Sequence, residues 1–213
     1  MTVHRAVIHY KGVNGELKYK SLVVLSDEMA HTVATVFPFL KAIVGWFEQN
    51  LAHIHQIYYL SDSPTSQYRN GTILKLESLH KAMFGISGSW QYVESGYGKR
   101  PCDGVEGSVK LTADRAVKTG KLIETAQYFY AWGISDTQSA VKYIFVTKEE
   151  VKKAPTELPS LGAFRVHGTM KTHAVMPVDD HIYIRETSCF RSLFCHFKLR
   201  SHFLEIFIRV IMI

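Results

Sequence analysis

The feature that most constrains this sequence is a short apolar run, Ile57 to Leu60, that ends in Ser61-Asp62. A compact run rich in β-branched and aromatic residues is typical of a buried parallel strand. Ligand-binding side chains of open α/β sheets gather at the carboxyl ends of such strands. Asp62 is therefore a candidate metal-binding carboxylate, and the alternative is an ordinary aspartate that caps the next turn.

Four polar side chains follow within two helical turns of this acid: Gln67, Tyr68, Arg69 and Asn70. The segment from Tyr68 to Phe84 is predicted to be helical, although the glycine of Asn70-Gly71 weakens its start. At the beginning of a helix these side chains can contact phosphate or position the acid. They are equally ordinary residues for a helix start.

A glycine-rich stretch from Gly96 to Lys110 is predicted to be a turn that opens a helix over Val105 to about Lys118. Backbone amides in such a turn and at a helix N-terminus suit an anion, whereas an acid there suits a metal. No Gly-Lys-Ser/Thr ends the glycine spacing, so the stretch is not a P-loop. The alternative is a plain connection with surface charge. The charged residues of this glycine-rich stretch are Lys99, Arg100, Asp103, Glu106 and Lys110.

Upstream, the Asn14-Gly15 pair predicts a turn between two strands, Ala6 to Tyr10 and Leu17 to Ser26. A helical pattern from Ala30 to Asn50 follows, with a kink or a broken turn expected at Pro38. Together with the later strands, this order predicts an open mixed α/β sheet with an antiparallel edge.

Downstream, the pattern alternates between helical and strand-like segments up to about Val178. The predicted elements are a helix at Ile123–Trp132, a strand at Lys142–Thr147, a short helix from Lys148, and a loop at Ala154–Leu161. After Ser188 acids nearly vanish, which indicates either translated non-coding sequence or an amphipathic C-terminal element. The expected organisation is a core over 1–118, an extension over 119–187 and an atypical apolar and basic tail over 188–213.

Composition narrows the class of protein. The chain has 213 residues, 46% of them apolar, which is enough for one sizeable core. Its net charge of +6 is compatible with DNA as a partner, although many basic proteins bind no nucleic acid. Its three cysteines without paired spacing favour a reducing compartment. We expect an intracellular protein, nuclear if it binds DNA. No apolar run reaches the length of a membrane span, and no small-molecule cofactor is expected.

Three segments carry a resemblance to a known family: Tyr59 to Asp62, Ser66 to Asn70 and Gly98 to Lys110. They resemble motifs of mostly uncharacterised invertebrate proteins that are similar to relics of DNA transposons with a DDE-type, RNase H-like transposase or integrase core. The resemblance covers roughly residues 6 to 178.

The resemblance implies an RNase H-like mixed sheet flanked by helices, with a small C-terminal α+β extension. Asp62 would match the acid after the fourth core strand, and Asp103 the acid near the last core helix. These two would be the catalytic and metal-binding residues, holding Mg²⁺ for DNA strand cleavage or transfer. The hairpin would supply the second and third core strands. The first core strand, with the first acid, is then missing.

Three further residues depart from the family pattern: Tyr97 replaces a histidine, and Arg100 and Glu106 replace glycines. With an incomplete set of acids, we predict a degenerate, inactive protein that binds Mg²⁺ poorly if at all. The alternative is a non-catalytic remnant that binds nucleic acid or protein. Its predicted nucleic-acid contacts are Gln67, Tyr68, Arg69, Asn70, Lys99, Arg100 and Lys110, with Arg115 beside them.

Overall fold

A computed structural model describes residues 1–12, 14–51, 54–62, 67–93, 101–135, 139–157, 171–178, 181–186 and 206–212. Within these ranges the chain is a mixed α/β fold, as the sequence predicts. The strands are β1 Thr2–Lys11, β2 Leu17–Ser26, β3 Ile54–Ser61, β4 Ser87–Tyr92, β5 Val141–Phe145, β6 Ala174–Val178, β7 His181–Arg185 and β8 Ile206–Met212. The helices are α1 Val33–Asn50, α2 Gly71–Phe84, α3 Pro101–Lys118, α4 Ala126–Ser135 and α5 Lys148–Glu157.

The eight strands form one sheet in the order β5-β2-β1-β8-β3-β4-β6-β7. The pairs β2/β5, β3/β4 and β3/β8 are parallel, and the pairs β1/β2, β1/β8, β4/β6 and β6/β7 are antiparallel. The strands of residues 119–187 therefore lie in the same sheet as those of residues 1–118. None of the helices in the described ranges is long and apolar enough to cross a membrane.

The predicted hairpin is confirmed, and its first strand is longer than expected. β1 and β2 pair without a shift from Thr2↔Ser26 to Lys11↔Leu17. Gly15 has a φ of 78° in the connecting turn, a conformation that glycine adopts without steric cost. The local turn signal thus fixes the register of the pair.

The C-terminal tail contributes a central strand, which the sequence did not reveal. β8 lies between the hairpin and β3, antiparallel to β1 and parallel to β3. Residues Ala6 to His9 of β1 face Arg209 to Met212 in this register, and β3 is paired from Ile54 to Ser61. The tail therefore contributes a strand to the middle of the sheet.

Helices cover both faces of the sheet because the strands alternate. Leu22 and Val24 of β2 pack with α1, α2 and α5 on one face. Val23 and Leu25 pack with α3 and α4 on the other face. The result is a three-layer arrangement in which β2 is buried on both sides, as its apolar run predicts.

Several helix boundaries differ from their predictions. α1 continues through Pro38, which is buried, so the helix is not broken there, and the kink stays a prediction. α3 begins at Pro101, a favoured first residue of a helix, so Asp103 lies in its first turn rather than in a preceding loop. α5 extends to Glu157 and includes Pro155, because Val151 and Ala154 are buried on its inner face. The loop predicted from Ala154 is wrong for residues 154–157.

Candidate functional site at the carboxyl edge of β3

A cavity of about 190 Å³ lies where β1 begins and β3 ends. Its walls come from β1, from the start of α1 and from the residues around the end of β3. The cavity contains the predicted residues Asp62, Gln67 and Tyr68, and it adds polar side chains that the sequence did not single out. Its lining residues are Thr2, Val3, His4, Arg5, His31, Thr35, Val36, Phe39, Asp62, Gln67 and Tyr68.

The chain is firmly held just before Asp62. Trp90 Nε1 donates to Ser61 Oγ at 2.8 Å, and Ser61 Oγ donates to the carbonyl oxygen of Asp62 at 2.8 Å. The amide of Val93 donates to the carbonyl of Ser61 at 3.0 Å. These buried contacts fix the backbone that carries the acid, as a strand-end position predicts.

Tyr68 and His4 form a buried neutral pair on the wall of the cavity. Tyr68 Oη and His4 Nδ1 are 3.2 Å apart, and Tyr92 Oη donates to the carbonyl of Tyr68 at 2.9 Å. Burial, with a smaller contribution from the charge of Arg5, lowers the pKa of His4 to about 3. Burial also raises the pKa of Tyr68 above its usual value, and the charge of Asp62 acts in the same direction. Neither ring is charged at neutral pH.

His4 retains hydrogen-bonding capacity beside the cavity. The residue is 5% exposed, and its Nε2 has no hydrogen-bond partner among the described residues. A buried polar atom without a partner is costly in free energy. A small polar molecule in the cavity would therefore find one unsatisfied ring nitrogen.

Arg5, which lines the cavity, belongs to an ion-pair cluster with Glu106 and Lys110. Arg5 Nη1 pairs with Glu106 Oε2, and Lys110 Nζ pairs with Glu106 Oε1. The Arg5 side chain is 12% exposed and lines the cavity together with Asp62. A positive guanidinium is thus built into the site, and α3 is tied to β1 through Glu106.

The polar residues after β3 have different structural roles. Gln67 lines the cavity, with its Nε2 3.2 Å from His31 Nδ1. Arg69 is buried, and its guanidinium carbon lies 5.4 Å from the centroid of the Tyr92 ring. Asn70 caps α2, because its Oδ1 accepts from the amides of residues 72 and 73 at 3.1 Å. A nucleic-acid contact by any of the three stays a prediction.

Asp103 is not among the residues that line the cavity. Its neighbour Cys102 is buried against Val7 and Leu60, which places the first turn of α3 beside the two strands. Asp103 itself is exposed. The predicted contacts Lys99 and Arg100, together with Tyr97, lie outside the described residues.

Asp62 is the one carboxylate among the described residues that line the cavity. In the described part of the chain no three or more His, Cys, Asp or Glu side chains are grouped to hold an ion. Magnesium is held by carboxylates and water, and Arg5 is the one arginine or lysine among the described residues that line the cavity. Asp62 lines the cavity and Asp103 does not, and the binding of a metal by either residue stays a prediction.

The residues missed from the sequence are His4, Arg5, His31 and Thr35. His4 and Arg5 are in β1, and their proximity to Asp62 depends on how β1 and β3 are brought together in the sheet. That pairing is mediated by β8, about 200 residues away in sequence. A pattern search along the chain contains no signal for such a contact.

This combination defines a mixed α/β domain with a small polar cavity at the carboxyl edge of a central parallel strand. The chain belongs to a family described as Domain of unknown function (DUF8701), whose model matches residues 1–188. No curated protein matches the chain, and no solved structure matches it. β8 lies beyond the matched residues.

Proposed function

We propose that this chain is a catalytically inactive, RNase H-like domain derived from a DDE-type transposase. The observation that carries the proposal is the position of Arg5. Arg5 is one of the residues that line the cavity together with Asp62, and its guanidinium pairs with Glu106 of α3. A fixed internal cation in this place opposes the binding of a divalent metal and satisfies an acid of α3.

The order of the strands supports the RNase H-like part of the proposal. In an RNase H-like core the first strand lies between the second and the fourth, antiparallel to one and parallel to the other. If β1 and β2 are the second and third strands and β3 is the fourth, β8 takes the place of the first with the same directions. The tail would then complete the sheet.

The sequence of β8 supports the inactive part of the proposal. The strand reads Ile-Phe-Ile-Arg-Val-Ile-Met and contains one arginine, Arg209, and no acid. The strand in the first position therefore supplies no carboxylate. Two-metal catalysis needs carboxylates on both sides of the two metal ions. In β8 this chain has a basic residue instead of a carboxylate.

A metal-binding measurement tests the proposal. The melting temperature should stay within about 1 °C when millimolar Mg²⁺ or Mn²⁺ is added, because a ligand raises stability only if it binds the folded chain. A rise of several degrees that is lost in Asp62→Asn would contradict the proposal. Asp114→Asn, a change of an exposed acid on α3, is the matched control.

A second candidate function is nucleic-acid binding by the C-terminal half of α3. Arg115 and Lys118 are exposed there, and Lys121 follows directly after the helix. Exposed cations along one helix suit a phosphate backbone, and binding of this kind weakens steeply as salt rises. Lys110 is less suited, since Glu106 already pairs with it.

Removing positive charges from α3 distinguishes DNA binding by this helix from a general electrostatic attraction between the basic protein and DNA. Replacing Arg115 and Lys118 by Ala should weaken DNA binding at least about fivefold and reduce its salt dependence by about two phosphate contacts. The control replaces Lys152 and Lys153 of α5 by Ala. These two lysines are also exposed, and their replacement removes the same amount of positive charge. Equal losses in both double variants, or binding that ignores salt, would exclude α3 as the binding surface.

A further inference from the structure

The cavity at the start of β1 and the end of β3 combines buried and exposed lining residues. His4, Phe39 and Tyr68 are buried, whereas Gln67 is half-buried and His31 is exposed. Empty cavities in proteins are lined by apolar side chains, while polar cavities hold water or a ligand. The mixture of polar and ring side chains here is therefore typical of a binding site for a small molecule.

His4 has hydrogen-bonding capacity that the described residues leave unused. Its Nδ1 lies 3.2 Å from Tyr68 Oη, and its Nε2 is buried without a partner among those residues. In the neutral ring one nitrogen donates and the other accepts, so the role of Nε2 depends on the tautomer. A ligand that carries both donors and acceptors suits either tautomer and relieves the cost of the unsatisfied nitrogen.

The size of the cavity limits the ligand to a single small ring. Its volume is about 190 Å³. An engineered protein cavity of about 150 Å³ holds one benzene molecule. The cavity therefore has room for a six-membered ring with small polar substituents.

The charged lining residues disfavour a ligand with a net charge. Arg5 and Asp62 both line the cavity, so a cation meets a like charge in the first and an anion meets one in the second. A zwitterion would need the guanidinium of Arg5 for its negative group, and Glu106 already pairs with that guanidinium. An uncharged molecule avoids these conflicts.

Three ring side chains in the lining favour a planar ligand. The centroid of the His4 ring lies 5.2 Å from that of Phe39 and 6.3 Å from that of Tyr68. The ring planes are inclined to each other by 39° and 42°. Rings in such arrangements offer both faces and edges, which are the contacts that another planar ring makes with aromatic side chains.

We propose that this cavity binds an uncharged planar heterocycle of the pyrimidine-base type. Such a ring combines N–H donors, carbonyl acceptors and a flat apolar surface in one small molecule. Binding of this kind does not depend on the proposed ancestry of the domain, because it needs neither a metal nor nuclease activity. Its presence or absence therefore leaves the metal-binding test of the inactive-domain proposal unaffected.

Calorimetric titration of the full chain with uracil tests the assignment. For a ligand of this size we expect a dissociation constant between about 10 μM and 1 mM. Orotate carries a carboxylate on the same ring, and glycerol offers hydroxyl groups without a planar ring. Both should bind at least about tenfold more weakly than uracil. No binding at about 10 mM uracil, or equal binding of orotate or glycerol, would overturn the assignment.

Uridine, titrated in parallel, identifies the source of the ring. Weaker binding of uridine than of uracil would support a free base as the ligand. Equal binding would support a base that is attached to a sugar. Both results support the pyrimidine-type ring, whereas the absence of binding by either compound would overturn it.

Two variants locate the binding site. Gln67→Trp adds bulk at a half-buried lining position and should weaken uracil binding at least about tenfold. The matched control is Gln49→Trp, the same change at an exposed position of α1 that does not line the cavity. His4→Phe keeps a ring but removes its nitrogens, and it should weaken binding at least about fivefold.

Circular dichroism identifies the variants that remain folded. If His4→Phe does not fold, the comparison of Gln67→Trp with Gln49→Trp decides, because neither change alters the buried pair of His4 and Tyr68. Unchanged or stronger uracil binding by folded Gln67→Trp would overturn the assignment of the site. An equal loss of binding in Gln49→Trp would overturn it as well.

Discussion

Arg5 and Glu106 form an ion pair that joins β1 to α3 at the edge of the cavity. The arginine side chain is 12% exposed and the glutamate side chain 31% exposed, so both charges are largely shielded from water. The pair explains two features at once. It connects α3 to the sheet, and it holds the side chain of Arg5, a residue that lines the cavity together with Asp62.

Breaking this ion pair should destabilise the fold. Glu106→Gln leaves the guanidinium of Arg5 poorly solvated and without its carboxylate, which should lower the free energy of unfolding by about 1–2 kcal/mol. Urea denaturation measures the change. The control is Glu157→Gln, which breaks the more exposed pair with Lys41 at 2.8 Å and should cost about 0.5 kcal/mol or less. Equal losses in the free energy of unfolding of the two variants would show that the Arg5–Glu106 pair stabilises the fold no more than an exposed pair does.

Acid should destabilise the protein through two buried histidines. Burial lowers the pKa of His80 to about 4, although its hydrogen bond to the carbonyl of Ile86 acts in the opposite direction, and the pKa of His4 falls to about 3. Both pKa values are 6.5 in the unfolded chain, which therefore binds protons first as the pH falls. The stability that these neutral rings contribute is present above pH 6.5 and is lost progressively towards pH 4 and pH 3.

The slope of the unfolding free energy against pH can be measured directly. Each histidine should reduce the free energy of unfolding by up to about 1.4 kcal/mol per pH unit below pH 6.5. Urea midpoints between pH 7.5 and 5 give the total slope, and His80→Gln should remove the part that belongs to His80. His181→Gln, a change of an exposed histidine, should leave the slope unaltered. An unchanged slope in His80→Gln would refute the assignment.

Glu77 should have the opposite pH dependence. The residue is 2% exposed in α2, and neither carboxyl oxygen has a hydrogen-bond partner among the described residues. Burial raises its pKa well above the usual 4.5, so the folded chain holds the proton more tightly than the unfolded chain. Its contribution to stability is complete below pH 4.5 and is lost as the pH rises through the folded-state pKa.

The neutral isostere tests this assignment. Glu77→Gln should raise the free energy of unfolding by about 1–3 kcal/mol at pH 8, and the gain should shrink as the pH approaches 4.5. Thermal or urea denaturation at both pH values measures it. Glu124→Gln, which changes an exposed glutamate, serves as the control. A variant that is less stable than the parent chain at pH 8 would show that the buried carboxyl is ionised and partnered.

The sequence predicts those parts of the fold that depend on local signals. The Asn14-Gly15 turn defines the hairpin, and the apolar run before Ser61 identifies β3 together with the position of Asp62. The start of α2 is one residue past Asn70, where the side-chain cap compensates for the poor helix propensity of Gly71. These features involve contacts between residues that are close in the chain.

The remaining features depend on contacts across the sequence. β8 looks like an atypical tail because its partners, β1 and β3, are about 150 to 200 residues away. The part of the cavity wall formed by His4 and Arg5 was missed for the same reason, because it also depends on contacts between residues that are far apart in the sequence. The early start of α3 was obscured by Gly104 and Gly107, which weaken helix propensity, whereas the burial of Cys102 and Val109 stabilises the helix from its first turn.

The most direct test of the inactive-domain account is a strand-nicking assay on supercoiled and linear DNA with Mg²⁺ or Mn²⁺. The assay compares the parent chain with Asp62→Ala and with Arg5→Ala, which removes the internal cation. The account predicts that the parent chain and Asp62→Ala leave the DNA equally intact at every metal concentration. Metal-dependent nicking by the parent chain that Asp62→Ala abolishes would contradict it.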